Sequence, residues 1–251
     1  MTFTNRIADN DRLREEIRQH HPLKREALKQ LRDYFRIGLT WSSNALEGNS
    51  LTETETKVVI EDGITIGGKP LKDHYEAIGH AEAFDYLHKL VNRTEITERD
   101  ILKLHKLFYY RIDQPNAGRY RKQNVVVTGT DFVFPPPSQL KKLMSVFAEE
   151  IPTLRGEKHP IEFAALLHIR LVTIHPFVDG NGRTARLLMN LALLQDGYPV
   201  TIIPPVLRSD YLTAVRQGNS GNDEPFVTLL SNMVWESQRD YLRLLQNLER
   251  K

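Results

Sequence analysis

One break in the chain constrains what can form on either side of it. Ile174-His175-Pro176-Phe177-Val178-Asp179-Gly180-Asn181-Gly182-Arg183 separates two apolar runs. Pro160 fits a first helical turn and opens the run Ile161 to Ile174. That run is hydrophobic on all sides, which predicts a central, buried helix. Pro176, Gly180 and Gly182 then interrupt regular structure. From Arg183 the apolar residues Leu187, Leu188, Leu191 and Leu194 recur at three- and four-residue steps, so a second helix is expected. Asp196-Gly197 supplies its end, with glycine free to take the left-handed cap.

The break also carries chemistry. Gly180-Asn181-Gly182 falls at a helix N-terminus, where backbone N–H groups lack internal partners and the dipole favours an anion. Such a turn is a phosphate seat. Arg183 and Arg186 lie three apart and can each fork onto phosphate oxygens. Asp179 is a hard oxygen ligand suited to Mg²⁺ shared with phosphates, and Mn²⁺ suits the same ligand. His175 is the group here that takes a proton near neutral pH. Any one of these residues alone would suit an ordinary helix-entry loop. Together they describe phosphoryl or nucleotidyl transfer.

This set resembles the signature of the Fic (Fido) family of protein adenylyltransferases, with His175-Pro176-Phe177, Gly180-Asn181-Gly182-Arg183 and Arg186 all matching. The resemblance implies a mainly α, helical Fic fold with a small β-hairpin flap over the active site. It implies transfer of AMP from ATP to a Ser, Thr or Tyr hydroxyl of a protein, with His175 as base, Asp179 as the Mg²⁺ ligand, and ATP on Gly180, Asn181, Gly182, Arg183 and Arg186. Upstream, Ser43 and Glu47 share a helix face. Ser43-x-x-x-Glu47-Gly48 resembles the family's inhibitory motif, which implies that Glu47 pairs with Arg186 and keeps it from the ATP γ-phosphate. Some inhibited members also remove AMP, and that reverse activity stays open here. Other branches move phosphate or phosphocholine. The intact Gly-Asn-Gly-Arg favours AMP over phosphate transfer, and a non-catalytic nucleotide-sensing module is the reading from another class.

Composition narrows the classes. With 34 basic and 32 acidic residues the formal net charge is +2, which makes no case for nucleic acid or an anionic membrane. Hydrophobic content is 40%, ordinary for a globular chain, and 251 residues can bury a core without staples. The chain has no cysteine, which excludes disulfides and thiolate metal sites and suits a reducing compartment. Met1 to Leu23 lacks the apolar core of a signal peptide. Phe163 to Ile174 is too short to span a bilayer. A cytoplasmic protein is expected.

The remainder reads as helices around this centre. The regions are 1–40, an N-terminal helical part; 41–50, the inhibitory segment; 51–225, the core; and 226–251, a C-terminal helix. Arg12 to Gln19 is charged and helical, and Pro22 fits the first turn of a helix with the stripe Leu23, Ala27, Leu28, Leu31, Phe35 and Leu39. Thr52 with Glu55, and Thr97 with Asp100, read as capping boxes. Gly63 to Pro70 falls one residue short of a P-loop, because Pro70 stands where a Ser or Thr should hold Mg²⁺, and is a turn-rich loop. Asn124 to Thr128 and Phe132 to Phe134 flank Gly129-Thr130-Asp131 as a hairpin signal. In the family, a flap follows a segment like Gly118-Arg119-Tyr120-Arg121. Val127, Thr128 and Gly129 would then face ATP, and a target protein would dock along 124–134. Ser209 can cap a helix, and the resemblance places Tyr211, Leu212 and Asn219 at the adenine. His168 reads as a packed core histidine. Self-modification and homo-oligomers are further expectations.

Overall fold

The computed structural model describes residues 3–249. Its centre is the predicted helical hairpin. Helix α7 (Pro160–Ile174) and helix α8 (Asn181–Gln195) pack along one another. Pro160 takes the first turn of α7, and His159 caps it with Glu162 answering in return. Every residue of α8 from Arg183 to Leu193 is buried, because other helices cover it on several sides. Gly197, at φ 81°, turns the chain out beyond its end.

The helices α1 (Ile7–Gln19), α2 (Arg25–Ala45), α3 (Glu53–Lys57), α4 (Leu71–Leu90), α5 (Glu98–Tyr109), α6 (Pro137–Glu157), α9 (Arg208–Asn219) and α10 (Glu224–Glu249) complete the described fold. Helices α4, α5 and α2 pack on α8, while α6, α9 and α10 pack on α7. Helix α1 lies on α10. Thr52 and Glu55 close their capping box on α3, and Thr97 and Asp100 close theirs on α5. Both thus satisfy N–H groups that a helix start leaves open. No helix among the described residues is long and apolar enough to cross a membrane.

Three local expectations change. Residues 124–134 form an irregular loop, with no strand among the described residues. Val126 and Val133 stand 95% and 87% exposed, while Phe134 is buried and packs on His175. A two-stranded hairpin with no third strand is marginal in water. Ser209 does not cap α9, because a 3₁₀ turn at Pro205–Leu207 runs directly into Arg208 and leaves Ser209 inside the first turn. Pro22 stands in the connector ahead of α2, which opens after the extended residue Lys24.

The core holds several histidines in the neutral state. His80 and His105 are fully buried, and burial pushes their pKa values down to about 3 and about 4. In the unfolded chain they titrate near the ordinary histidine value, so below that pH the unfolded state binds more protons than the folded one. Stability is therefore complete above about pH 6.5 and falls as pH drops towards the folded values, at ~1.4 kcal/mol per pH unit for each histidine. Melting at pH 7 and pH 5 should show a lower Tm at pH 5, by several degrees. An unchanged Tm would mean that these rings accept protons in place.

Candidate active site

The loop between α7 and α8 is held in one shape from within. Asn181 is buried, and its amide makes two bonds to Phe177, accepting from the backbone N–H at 2.9 Å and donating to the carbonyl at 3.0 Å. Its side chain thus closes the turn rather than pointing outward. Gly180 adopts φ 79°, and a Cβ there would sit 2.8 Å from the Phe108 ring. His105 supports the turn from below. Its Nδ1 accepts from the Gly118 N–H at 2.9 Å, so Nε2 carries the proton and donates to the Asp179 carbonyl at 3.0 Å. The His105 ring stacks flat on Phe177, centroids 3.7 Å apart.

His175 ends α7 in the left-handed region, at φ 51°, and no other non-glycine among the described residues has a positive φ. Such a conformation costs on the order of 1–3 kcal/mol and persists where surroundings impose it. One source of that constraint is Arg121. Its Nε donates to the His175 carbonyl at 2.8 Å, and its backbone N–H donates to the Pro176 carbonyl at 2.9 Å. Its two Nη groups donate to the carbonyls of Gln123 and Pro135. The His175 Nδ1 lies 3.2 Å from the Val172 carbonyl, an acceptor only, so Nδ1 carries the proton and Nε2 holds the lone pair. Burial, with the Arg121 charge adding to it, pushes the His175 pKa down to about 4. The ring is a neutral base at pH 7.

His175 lines a cleft of about 800 Å³. Across it stand Tyr211, Leu212 and Asn219 of α9, and Val127, Thr128 and Gly129 of the 124–134 loop. Glu47 and Gly182 form its floor. Arg216 reaches from α9 over the mouth and donates to the Gly129 carbonyl at 3.2 Å. Asn219 accepts from the Thr173 hydroxyl at 2.9 Å.

Beneath that floor lies Arg186, buried and fully engaged. Its Nε donates to Ser43 Oγ at 2.9 Å, and its Nη2 donates to the Ser43 carbonyl and to Glu47 Oε1, both at 2.8 Å. Its Nη1 donates to the Tyr211 hydroxyl at 2.8 Å, which in turn donates to His168 Nε2 at 3.0 Å. His168 is thus a core residue, as expected, and it supports the Tyr211 side of the cleft. Burial works against the charge of Glu47, but the Arg186 and Arg183 guanidiniums outweigh it and hold its carboxyl below the usual carboxylate range. A side chain at Gly182 would overlap the Glu47 carboxylate, so this glycine is what lets Glu47 reach Arg186.

Arg183 turns elsewhere. Its guanidinium is buried, 2.7 Å from Glu76 and 3.2 Å from Asp179, and it lies over the Phe108 ring at 4.4 Å. It therefore stands behind the loop rather than in the cleft, because the buried Glu76 carboxylate requires a cation. Asp179 Oδ1 takes the Gly180 N–H and Arg183, while Oδ2 faces outward, 3.9 Å from Lys72. Glu76, His105 and Arg121 were not assigned from sequence. The signal existed for two of them: Glu76 shares a helical stripe with Ala77 and His80, and His105 shares one with Ile101 and Phe108. A polar group on an apolar face marks a buried partner.

A family model described as Fic/DOC family matches residues 95–193, which contain the α7–α8 loop. A solved Fic domain containing signaling protein from Bacteroides thetaiotaomicron superposes with a TM-score of 0.87 at 31% identity, over 95% of this chain and 97% of that one. The chain belongs to the Fic/DOC family. Fic-1 (residues 134–508) from C. elegans superposes equally well, with a TM-score of 0.87 at 30% identity, covering 96% of this chain and 72% of the other. In sequence, a Nematostella vectensis relative named "Protein adenylyltransferase Fic" is 40% identical over 224 residues, which is 88% of this chain and 51% of the relative. The chain thus spans about half the length of the curated Fic relatives it matches. The shared fold is the mainly α one that the resemblance implies.

Proposed function

We propose that the protein is an autoinhibited protein adenylyltransferase, which moves AMP from ATP to a protein hydroxyl. One observation carries this reading: at a helix N-terminus, His175 and the Glu47 carboxylate line one cleft, and that carboxylate caps Arg186 just beneath its floor. Its support from kinship is that relatives covering most of this chain bear the name protein adenylyltransferase.

In this reading the adenine lies against Tyr211, Leu212 and Asn219, and the phosphates lie on Gly180-Asn181-Gly182. His175 Nε2 takes the proton of the target hydroxyl. The hydroxyl oxygen bonds to the α-phosphorus as the bond to the β-phosphate bridging oxygen breaks, and pyrophosphate leaves. Arg186 meets the γ-phosphate once Glu47 withdraws, and Arg183 keeps its place behind Asp179. Preorganised donors and positioning supply most of the rate in such transfers. Asp179 fits a divalent cation, because its outward Oδ2 is one carboxylate oxygen beside the phosphate seat, and Mg²⁺ bound with phosphates needs only one or two carboxylates. When bound, the ion would neutralise charge on the phosphates. The exposed Val126 and Val133 make the 124–134 loop the proposed edge for the target protein. On its lack of cysteine we place the protein in a reducing, cytoplasmic setting.

The test is where the label goes. Incubation of Glu47→Gly protein with ATP labelled at the α-phosphate should label the protein itself or a lysate protein, and ATP labelled at the γ-phosphate should not. Label from the γ-position alone would make the protein a kinase. No label from either, with ATP bound, would point to a different donor or to a sensing module.

A further inference from the structure

The Glu47 carboxylate reaches Arg186, and among the described residues no other side chain is seen donating a hydrogen bond to it. Its position is inherited from the turn Leu46–Asn49 that follows α2. Backbone bonds from Gly48 to Ala45 and from Asn49 to Asn44 shape that turn, with Gly48 at φ 95°. Arg208 of α9 donates to the Leu46 carbonyl at 2.8 Å and holds one side. The other side rests on α4. There the Asn49 amide donates to Glu76 Oε2 at 2.8 Å and to the Asp73 carbonyl at 3.0 Å.

Glu76 is the unusual partner. Its side chain is 6% exposed, and its second oxygen, Oε1, is the one paired with Arg183 at 2.7 Å. One buried carboxylate thus grips two elements at once. Through Oε2 it holds a residue two positions from Glu47, and through Oε1 it holds the arginine that also binds Asp179. Arg183, with Lys72 at 3.7 Å, balances the charge of this buried carboxylate, and the Asn49 amide satisfies its other oxygen, which would otherwise be left without a donor. Ser50, next in the chain, bonds to Asp73 instead, through its N–H at 2.8 Å and its hydroxyl at 2.6 Å.

We propose that Glu76, acting through Asn49, is the positioning residue that sets Glu47 on Arg186 and ties that inhibitory contact to the α7–α8 loop. This rests on the autoinhibited reading above. Glu76 touches no reacting atom. It makes the turn that carries Glu47 move with Arg183, so that a charge drawn to the Asp179 side of the loop is felt at Glu47.

The bond has a polarity that can be reversed. Asn49→Asp sets a carboxylate against Glu76 Oε2 and should push the turn off α4. Adding Glu76→Gln restores a donor at that place while its amide oxygen still faces Arg183. ATP affinity is measured by calorimetry on the full chain, in the presence of Glu47 and in the Glu47→Gly background, with a thermal melt of each variant. With Glu47 present, Asn49→Asp should tighten ATP about tenfold, the scale of one hydrogen bond to a charged group. In the Glu47→Gly background it should change affinity less than about twofold, since the residue it positions is gone. The Asn49→Asp/Glu76→Gln pair should recover most of the wild-type affinity, since it restores the bond to position 76 but not the one to the Asp73 carbonyl. Equal changes in both backgrounds would overturn the proposal, as would no change with Glu47 present or no rescue by the pair. Should Asn49→Asp fold poorly, Asn49→Ala removes the same donor and is read in the same way. If Glu47→Gly alone leaves ATP affinity where it was, the autoinhibited reading fails by itself. The latch is then decided by a crystal structure of Asn49→Asp: an Arg186–Glu47 distance still at 2.8 Å overturns it, and a separated pair upholds it.

Discussion

Removing Glu47 should turn a nearly silent protein into an active one. In the resting structure Arg186 spends one Nη2 donor on Glu47, while Ser43 and Tyr211 occupy others without competing for anions. Glu47→Gly therefore releases a guanidinium that stays in place, because three bonds still hold it. The released edge is preorganised for a phosphate oxygen. A hydrogen bond involving charged groups contributes about 1.5–3 kcal/mol, so ATP should bind roughly 10- to 100-fold more tightly. Labelling from α-labelled ATP should rise at least as much, since the same contact completes the site for reaction. Equal affinity and equal labelling in both proteins would remove Glu47 from any inhibitory role. The Ser43 contacts add a second expectation in the same experiment. Ser43→Ala in the Glu47→Gly background should lower labelling, because it loosens the arginine rather than freeing it.

The other large effect lies at His175. His175→Ala, made in the Glu47→Gly protein, should cost ~10²–10⁴-fold in labelling, the usual contribution of a general base. ATP affinity should change little, because the ring offers its lone pair to the incoming hydroxyl and not to the nucleotide. The pH dependence is the sharper check. With the His175 pKa held near 4 by burial, the ring stays unprotonated from pH 8 down to pH 6, so kcat/KM should be flat across that range as far as the base is concerned. The rate should decline only as pH approaches the low value, where the ring takes its own proton. An inflection near pH 6.5 in kcat/KM, which reports the free enzyme, would mean that the histidine titrates as if exposed.

Much of this was legible in the sequence because the signals were local. The α7–α8 hairpin follows from Pro160, the glycines and the leucine spacing, and each of those acts within a few residues. The capping boxes of α3 and α5 are local in the same sense. The Glu47–Arg186 pair was legible only through resemblance, since no spacing rule joins residues so far apart in the chain. The direction of Arg183 was not legible. Its neighbour Arg186 has the same chemistry, and what separates them is the buried Glu76 on another helix. The hairpin was overread because alternation and a glycine turn describe two strands, not the third element that would keep them paired. The support given by His105 and Arg121 belongs to tertiary structure, where a ring stacks on one loop and a single arginine bonds carbonyls of two.

Arg121 has a consequence for how such a protein could change over time. With its two Nη groups this arginine grips the carbonyls of Gln123 and Pro135, the two feet of the exposed loop, and with its Nε and backbone N–H it grips the histidine loop. The stretch between those feet is thus a cassette in a fixed socket. Its outward positions, such as Val126 and Val133, can change while Val127, Gly129 and Phe134 keep lining the cleft beside His175. Outward and cleft-facing positions of that loop can then vary separately, and the arginine is the seam that holds both in register.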